Sequence, residues 1–256
     1  MDRLDKRLVE MGLASTRSQA QGLIKEGVVL VSGAICTKPS QKVSDEEIAI
    51  TKEEIFVSRG AHKVEGALKD FDIDVKDMLV ADVGASTGGF TNYVLSRGAK
   101  KVYAIDVGHD QLATSLRNDE RVVNMEGVNI RELDGLDDLC DLAVVDLSFI
   151  SLKLCLASIF KTIHEKGKVV ALIKPQFEVG KENLGKNGIV KDISIVKSML
   201  ENLLKWCLEQ GFYVHDFCLS PIKGKTGNQE FFFLLDRDKF KEVISIKDIE
   251  KKLEGI

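Results

Sequence analysis

Four short stretches, far apart in the chain, each set a charged residue at the edge of a strand-like or helical run. They are Ser58-Arg59-Gly60-Ala61-His62-Lys63, Val145-Asp146-Leu147-Ser148, Ile173-Lys174-Pro175 and Asn228-Gln229-Glu230-Phe231. Asp146 is predicted to end a fourth strand and Lys174 a fifth, so that in an open parallel sheet both point into the crevice beyond the strand C-termini, where ligands bind. A lysine closing the apolar run Val169-Val170-Ala171-Leu172-Ile173 is costly to bury without an acid, and Asp146 and Glu230 are the candidate partners. Such a set suits removal of a proton from a weak oxygen nucleophile. A ribose 2′-hydroxyl must lose its proton as it attacks a sulfonium methyl, and a lysine whose pKa is lowered by burial and by a second cation can take it. Lys63 is the candidate second cation, with Asp146 and Glu230 orienting the ammonium groups. One such pair is ordinarily structural; four residues converging beside a cofactor turn point to catalysis.

That turn lies between the first two stretches: Asp82-Val83-Gly84-Ala85-Ser86-Thr87-Gly88-Gly89-Phe90. Glycines after a strand let the backbone approach a ligand, and the helix that follows offers free amide donors. A P-loop needs a lysine that this turn lacks, and a dinucleotide fingerprint needs a glycine spacing it does not supply. S-adenosyl-L-methionine remains, with Asp82, Gly84, Ala85, Ser86, Gly88, Gly89 and Phe90 as candidate contacts and Asp146 bordering the same place. Asp106, closing a second strand about twenty residues further on, is positioned to accept ribose hydroxyls. Asn129 is the candidate reader of an adenine edge.

To position these groups the chain must build a parallel sheet. Strands are predicted at Leu79–Val83, Lys101–Asp106, Val122–Met125, Leu142–Asp146, Lys168–Ile173, Tyr213–Leu219 and Phe231–Leu235, several of them continuous apolar runs of the kind buried on both faces. Helices are predicted at Thr91–Gly98, Gln111–Asn118, Leu152–Glu165 and Ile193–Gln210. No helix separates the last two strands, which predicts a closing antiparallel hairpin. The expected class is α/β: a seven-stranded doubly wound sheet of the Rossmann-like methyltransferase type over residues 61–256, a linker at 54–60, and a small α+β domain over residues 1–53. In that first domain Leu4, Leu8 and Met11 are predicted to line one helix stopped by Gly12, and Ser15 and Ser18 to open a second that ends at Gly27. Val28-Val29-Leu30-Val31 reads as a strand and Ser32-Gly33 as a tight turn, with residues 45–54 a last strand running into the linker. After Lys239 the chain reads as an amphipathic helix. Trp206, Phe212 and Phe231-Phe232-Phe233 read as core.

The 256 residues carry a net charge of −4, 44% hydrophobic and 30% charged side chains, as in an ordinary globular protein. No apolar run approaches the ~20 residues of a membrane span, and the charged start is unlike a signal peptide, so the expected compartment is the cytoplasm. Five cysteines without a C-x-x-C pair read as reduced, packed thiols, and no metal site is expected. Residues 1–43 hold seven Lys/Arg against four Asp/Glu, so a basic head of about +3 precedes an acidic body of about −7. The head suits an anionic partner, with Arg3, Lys6, Arg7, Arg17 and Lys25 as candidate RNA contacts. Arg59, Lys181 and Lys223 are further candidates near the crevice, together with Lys186, Lys191 and Lys225. His62 is a candidate substrate contact beside Lys63.

Arg3-Leu4-Asp5, Ser15-Thr16-Arg17-Ser18-Gln19-Ala20 and Gly27-Val28-Val29-Leu30-Val31-Ser32-Gly33 together resemble the S4 RNA-binding module. The rest resembles FtsJ-related ribosomal-RNA methyltransferases. With Ser58–Lys63, Gly84–Thr91, Asp146–Leu152 and Lys174-Pro175-Gln176-Phe177-Glu178-Val179-Gly180, nearly the whole chain is similar to the TlyA, or haemolysin A, family. The resemblance implies S-adenosylmethionine-dependent 2′-O-methylation of cytidine in ribosomal RNA, free or within a ribosomal subunit. The family's Lys-Asp-Lys-Glu set falls on Lys63, Asp146, Lys174 and Glu230. Asn129 departs from the aspartate usual in the broader FtsJ pattern. A start directly at the S4-like helix implies the shorter family type, acting on large-subunit RNA. A base N-methyltransferase would carry prolines after the fourth strand that Asp146-Leu147-Ser148-Phe149 lacks. The remaining alternatives are a non-catalytic ribosome-assembly factor and a membrane-lytic haemolysin.

Overall fold

The computed structural model describes residues 1–14, 16–25, 27–51 and 56–254. Ser15, predicted to open the second helix, and residues 52–55, where the last strand was expected to enter the linker, lie outside them. The chain divides into two compact units, Met1–Ser58 and Arg59–Ile256.

The first unit runs β1 (Asp2–Arg3), α1 (Leu4–Glu10), α2 (Arg17–Lys25), β2 (Val29–Val31), β3 (Ala34–Ile35), β4 (Lys42–Val43) and β5 (Ile48–Ile50). β2 is the centre of an antiparallel sheet between β3 and β5, and β1 pairs with β4. Leu4, Leu8, Ala20, Ile24 and Val29 form a fully buried core. Met11, expected on that face, is instead 44% exposed, because α1 ends at Glu10 and Gly12, with φ +72°, turns the chain away. Asp5 is buried within this unit and fully partnered. It accepts Arg3 Nε and Nη2 at 3.0 and 2.9 Å, Gln21 Nε2 at 2.7 Å and Arg17 Nη2 at 3.2 Å. The Arg3 guanidinium holds its carboxyl well below the usual carboxylate range.

The second unit continues with α3 (Gly60–Asp70), β6 (Leu79–Val83), α4 (Gly89–Ser96), β7 (Lys101–Asp106), α5 (Thr114–Arg117), β8 (Val122–Glu126), β9 (Cys140–Val145), α6 (Leu156–Ile159), β10 (Ile163–Ile173), α7 (Pro175–Glu178), α8 (Ile193–Glu209), β11 (Tyr213–Leu219), β12 (Phe231–Asp236) and α9 (Ile246–Leu253). Its seven strands lie in the order β11-β12-β10-β9-β6-β7-β8. All neighbours from β10 to β8 are parallel, whereas β12 is antiparallel to both β10 and β11. Consecutive strands leave in opposite directions from β6 and β9, which makes the C-terminal edge between those two the switch point where such sheets bind ligands. The expected doubly wound α/β class and the closing hairpin are both present.

Three local expectations fail. The span 152–165 is helical only at 152–154 and in α6. Its apolar spacing (Leu152, Leu156, Ile159, Ile163) fits a helix, yet the chain turns after Phe160 and Ile163 pairs with Cys140 as the start of β10. α5 is four residues long rather than eight, because Ala113, at ψ 138°, is not helical and the helix starts only at Thr114; the N–H groups of Gln111 and Leu112 bond the Glu126 carboxylate at 2.5 and 2.9 Å. α3 was not foreseen as a helix at all; it buries Ala61, Val64, Ala67 and Leu68. Phe231, Phe232 and Phe233 are all wholly buried, Phe212 is buried, and Trp206 packs partly buried against the same core. The five cysteines are free and buried, and burial pushes the Cys140, Cys207 and Cys218 thiols up to about 12. Among the described residues no helix is long and apolar enough to cross a membrane, and no group of side chains has the makings of a metal site.

Candidate active site

The charged residues lie along one edge of the sheet, at the C-terminal ends of β9 and β10 and the N-terminal end of the antiparallel β12. Asp146 follows β9, Lys174 follows β10, and Glu230 immediately precedes β12, whose Phe231 pairs with Ile173. Lys63 comes from the first turn of α3. That helix lies against the chain leading to β12: a Cβ on Gly66 would stand 2.7 Å from the Pro221 ring, and Arg59 Nη2 donates to the Lys223 carbonyl at 3.1 Å. The result is two ion pairs. Lys63 Nζ lies 2.5 Å from Glu230 Oε2, with the two side chains 12% and 2% exposed, and Lys174 Nζ lies 2.5 Å from Asp146 Oδ1, at 10% and 21%. Lys174 also donates to Ser148 Oγ at 2.7 Å. Pairs so nearly dry hold their geometry because either partner alone would be a poorly solvated charge.

The glycine turn follows β6 on the neighbouring strand. Gly84 has φ +92°, and a Cβ there would stand 2.5 Å from the Asp146 carbonyl oxygen, so only glycine lets the turn and the Asp146 backbone come this close. Gly88, also left-handed, caps α4. Asp82 lies beneath the turn, fully buried. Its Oδ2 accepts the Thr91 N–H at 2.8 Å and the Thr91 hydroxyl at 2.6 Å, which ties the end of β6 to the start of α4. Oδ1 has no protein partner among the described residues, and burial pushes the carboxyl up to about 7. Phe90 is buried beside Phe232 rather than facing outward.

Asp106 ends β7 and accepts the Ser86 N–H at 2.8 Å and the Gly108 N–H at 2.7 Å, which fixes the carboxylate against the glycine turn with lone pairs left over. Val107, next in the chain, is 66% exposed and offers an apolar face beside it. Asn129 follows Val128, whose N–H bonds the Asp106 carbonyl at 2.9 Å; its own Oδ1 accepts the Arg131 N–H at 3.2 Å and its amide donates to Glu132 at 2.8 Å, the usual local bonding of a turn asparagine.

Sequence reasoning passed over several groups around Lys174. Phe149 is 90% exposed, holds φ +64°, and has its ring 5.0 Å from that of Phe177, over which Lys174 Nζ lies at 5.9 Å. An exposed phenylalanine in a left-handed conformation is a genuine outlier. Glu178 braces the same loop by accepting the Ser151 hydroxyl at 2.6 Å and the Leu152 N–H at 2.7 Å. Only residue type could have flagged these positions; neither the φ value nor the bracing leaves a sequence signal.

The candidate RNA contacts divide. Arg3 and Arg17 are half-exposed and anchored on Asp5; Lys6 and Arg7 pair with Glu10, and Lys6 also with Asp2. Lys25, Arg59, Lys181, Lys186, Lys191, Lys223 and Lys225 are exposed. Buried Asn228 bonds Gly188 and Val190, fastening the lysine-bearing loop to the approach to β12. His62 Nδ1 lies 3.3 Å from Glu65.

Comparison with known proteins matches residues 56–237 to the FtsJ-like methyltransferase family and residues 2–48 to the S4 domain. The 16S/23S rRNA (cytidine-2'-O)-methyltransferase TlyA of Mycobacterium tuberculosis is 42% identical over 97% of this chain and 94% of its own length. Hemolysin A of Brachyspira hyodysenteriae is 40% identical over 90% of this chain and 97% of its own. A solved structure described as a hemolysin from Streptococcus thermophilus superimposes with a TM-score of 0.77 at 40% identity, covering 99% of this chain and 94% of that one.

Proposed function

From the premise that this chain belongs to the TlyA family of S4-containing, FtsJ-like methyltransferases, we propose that it methylates the ribose 2′-oxygen of a cytidine in ribosomal RNA. The observation that carries the reading is the Lys174 amine, held 2.5 Å from Asp146 and 2.7 Å from Ser148 at the sheet edge where Gly84 packs on the Asp146 backbone.

The turn fits S-adenosylmethionine. The pre-aimed Asp106 carboxylate, beside the left-handed glycines of the turn, is what a ligand with a ribose diol needs. When bound, it supplies a methyl group on a positively charged sulfur. Asp106 is assigned to the ribose hydroxyls and the Val107 face to the adenine. Lys174 is assigned to take the 2′-hydroxyl proton as general base. Asp146 orients that amine, and the Lys63 ammonium, held by Glu230, is assigned as hydrogen-bond donor to the oxygen that becomes negative in the transition state. Phe149 is assigned to stacking on the target base, which accounts for its exposure and its strained backbone. Arg3, Arg17, Lys181 and Lys223 are assigned to phosphates.

Mapping alkali-resistant 2′-O-methyl positions across ribosomal RNA, from cells with and without this protein, tests the reading. Cytidines of one or both subunits that lose the mark support it. An unchanged map overturns it, and an unchanged map with altered subunit assembly points to a non-catalytic factor.

A further inference from the structure

We infer that two lysine-bearing loops beside Glu230 form one rim that grips RNA phosphates flanking the target nucleotide, and that Asn228 is the positioning residue that locks them together. The inference rests on the reading of the site as one that acts on RNA, and deepens it. The first loop, residues 180–191 after α7, carries Lys181, Lys186 and Lys191; the second, residues 220–228 ahead of β12, carries Lys223 and Lys225. In residues 181–191 and 223–225 these five lysines stand against one acid, Glu182, on a body that is otherwise acidic. All five are exposed, and among the described residues none ion-pairs with a carboxylate. A lysine meets phosphate as a point charge without base preference, so such a rim holds the backbone and leaves sequence unread.

Neither loop is slack. The first closes on itself: Leu184 and Val190 pair antiparallel, the Gly185 N–H donates to the Ile189 carbonyl at 2.7 Å, and Asn187 (φ +64°) and Gly188 (φ +73°) turn the tip. In the second, the Gly224 N–H donates to the Asn228 carbonyl and the Gly227 N–H to the Gly224 carbonyl, both at 2.9 Å. The Asn228 side chain, 5% exposed, joins the two. Its Oδ1 accepts the Val190 N–H at 2.9 Å, while its amide donates to the Gly188 carbonyl at 2.9 Å and to the Thr226 hydroxyl at 3.2 Å. Ammonium groups on a locked frame lose less freedom on meeting phosphates than the same groups on loose loops.

The frame is also fixed to the charged site. Gly224 is buried against Glu230, where a Cβ would collide with Oε1, and the other oxygen of that carboxylate holds Lys63. Phosphates on the rim are therefore those next to the nucleotide presented to the site.

Filter binding of protein-free ribosomal RNA by the full-length protein, over a series of salt concentrations, tests the rim; methyl-transfer kinetics and melting temperature are measured on the same samples. Lys186→Gln with Lys225→Gln, one lysine from each loop, is expected to reduce the slope of log K against log salt by about 1.5, as two phosphate contacts are lost. Asn228→Ala removes no charge, yet it is expected to reduce the slope by about 1 or more, because the loops no longer present their lysines together. In both, the loss falls on KM for RNA while kcat at saturating RNA stays at the wild-type value. Added to Asn228→Ala, the lysine pair is expected to change the slope less than it does in the parent, as sites on one shared element should. A wild-type slope for Asn228→Ala, full additivity, or loss of fold in Asn228→Ala and Asn228→Ser alike would overturn the positioning role. A wild-type slope for the lysine pair overturns the rim itself. Wild-type protein that binds this RNA but transfers no methyl group would instead remove the methyltransferase reading, a separate failure.

Discussion

The carbonyl oxygen of Asp146 sits where a side chain on Gly84 would begin, 2.5 Å from the ideal Cβ position. The glycine turn and the Asp146 backbone are thus one packed unit rather than two neighbouring features. Gly84→Ala combines a backbone collision with an unfavourable left-handed φ of +92° and is expected to cost about 1–3 kcal/mol of stability. Urea unfolding should show that loss, and calorimetry should show weakened binding of S-adenosylhomocysteine.

Lys63 and Glu230 form the driest ion pair of the site, at 12% and 2% exposure. Removing one partner strands the other, so Lys63→Ala should destabilise by roughly 3 kcal/mol. Replacing both, as Lys63→Met with Glu230→Gln, should restore much of the stability but not the methyl transfer. A thermal melt alongside a methylation assay separates the two effects.

Asp82 gives a pH signature. Its carboxyl is raised from 3.8 to about 7 by burial, so the folded protein holds this proton more tightly than the unfolded chain. Its contribution to stability is therefore fully present below pH 3.8 and declines as pH rises toward 7, by up to about 4 kcal/mol. Asp82→Asn keeps an oxygen for Thr91 and has no proton to lose. The stability of this variant relative to the parent should climb between pH 4 and pH 7; a parallel pair of curves would contradict the assignment.

Phe149 stands at a strained position, with φ +64°. Phe149→Gly relieves that strain and leaves the core untouched, so stability should hold or rise by about 1 kcal/mol. Turnover on RNA should nevertheless fall, with product binding unchanged. This opposition between stability and activity is the mark of a side chain kept for substrate rather than for folding.

Arg17, 57% exposed and anchored on Asp5, is expected to touch one phosphate. Arg17→Ala should reduce the slope of log K against log salt by about 1 without altering sequence preference. Filter binding of a ribosomal RNA fragment at several salt concentrations reads the slope directly.

What could be read from the sequence follows from where each residue sits in its element. β6, β7 and β11 were legible to the residue, since each is rich in β-branched, aromatic and other apolar side chains and stops at a glycine, a charged residue or a Ser-Pro turn. The span after Ser151 was not, because Leu152, Leu156, Ile159 and Ile163 satisfy a helical period and also the approach to a strand. Asp146, Lys174 and Glu230 stood out as charges abutting apolar strands. Which lysine takes which acid was hidden, because it depends on β12 lying between β10 and β11. The partners of Asp82 and Lys174, Thr91 and Ser148, are short hydroxyl side chains whose roles arise only from proximity in three dimensions.

The insertion of β12 carries a consequence for biosynthesis. The strand made last lies inside the sheet, and the acid that answers Lys63 enters with it. A nascent chain that has reached Ser220 already owns its glycine turn, Asp146 and Lys174, yet one flank of β10 is bare and the Lys63 ammonium has no counter-charge. The sheet is therefore complete, and Lys63 paired with Glu230, only once the closing hairpin has threaded home.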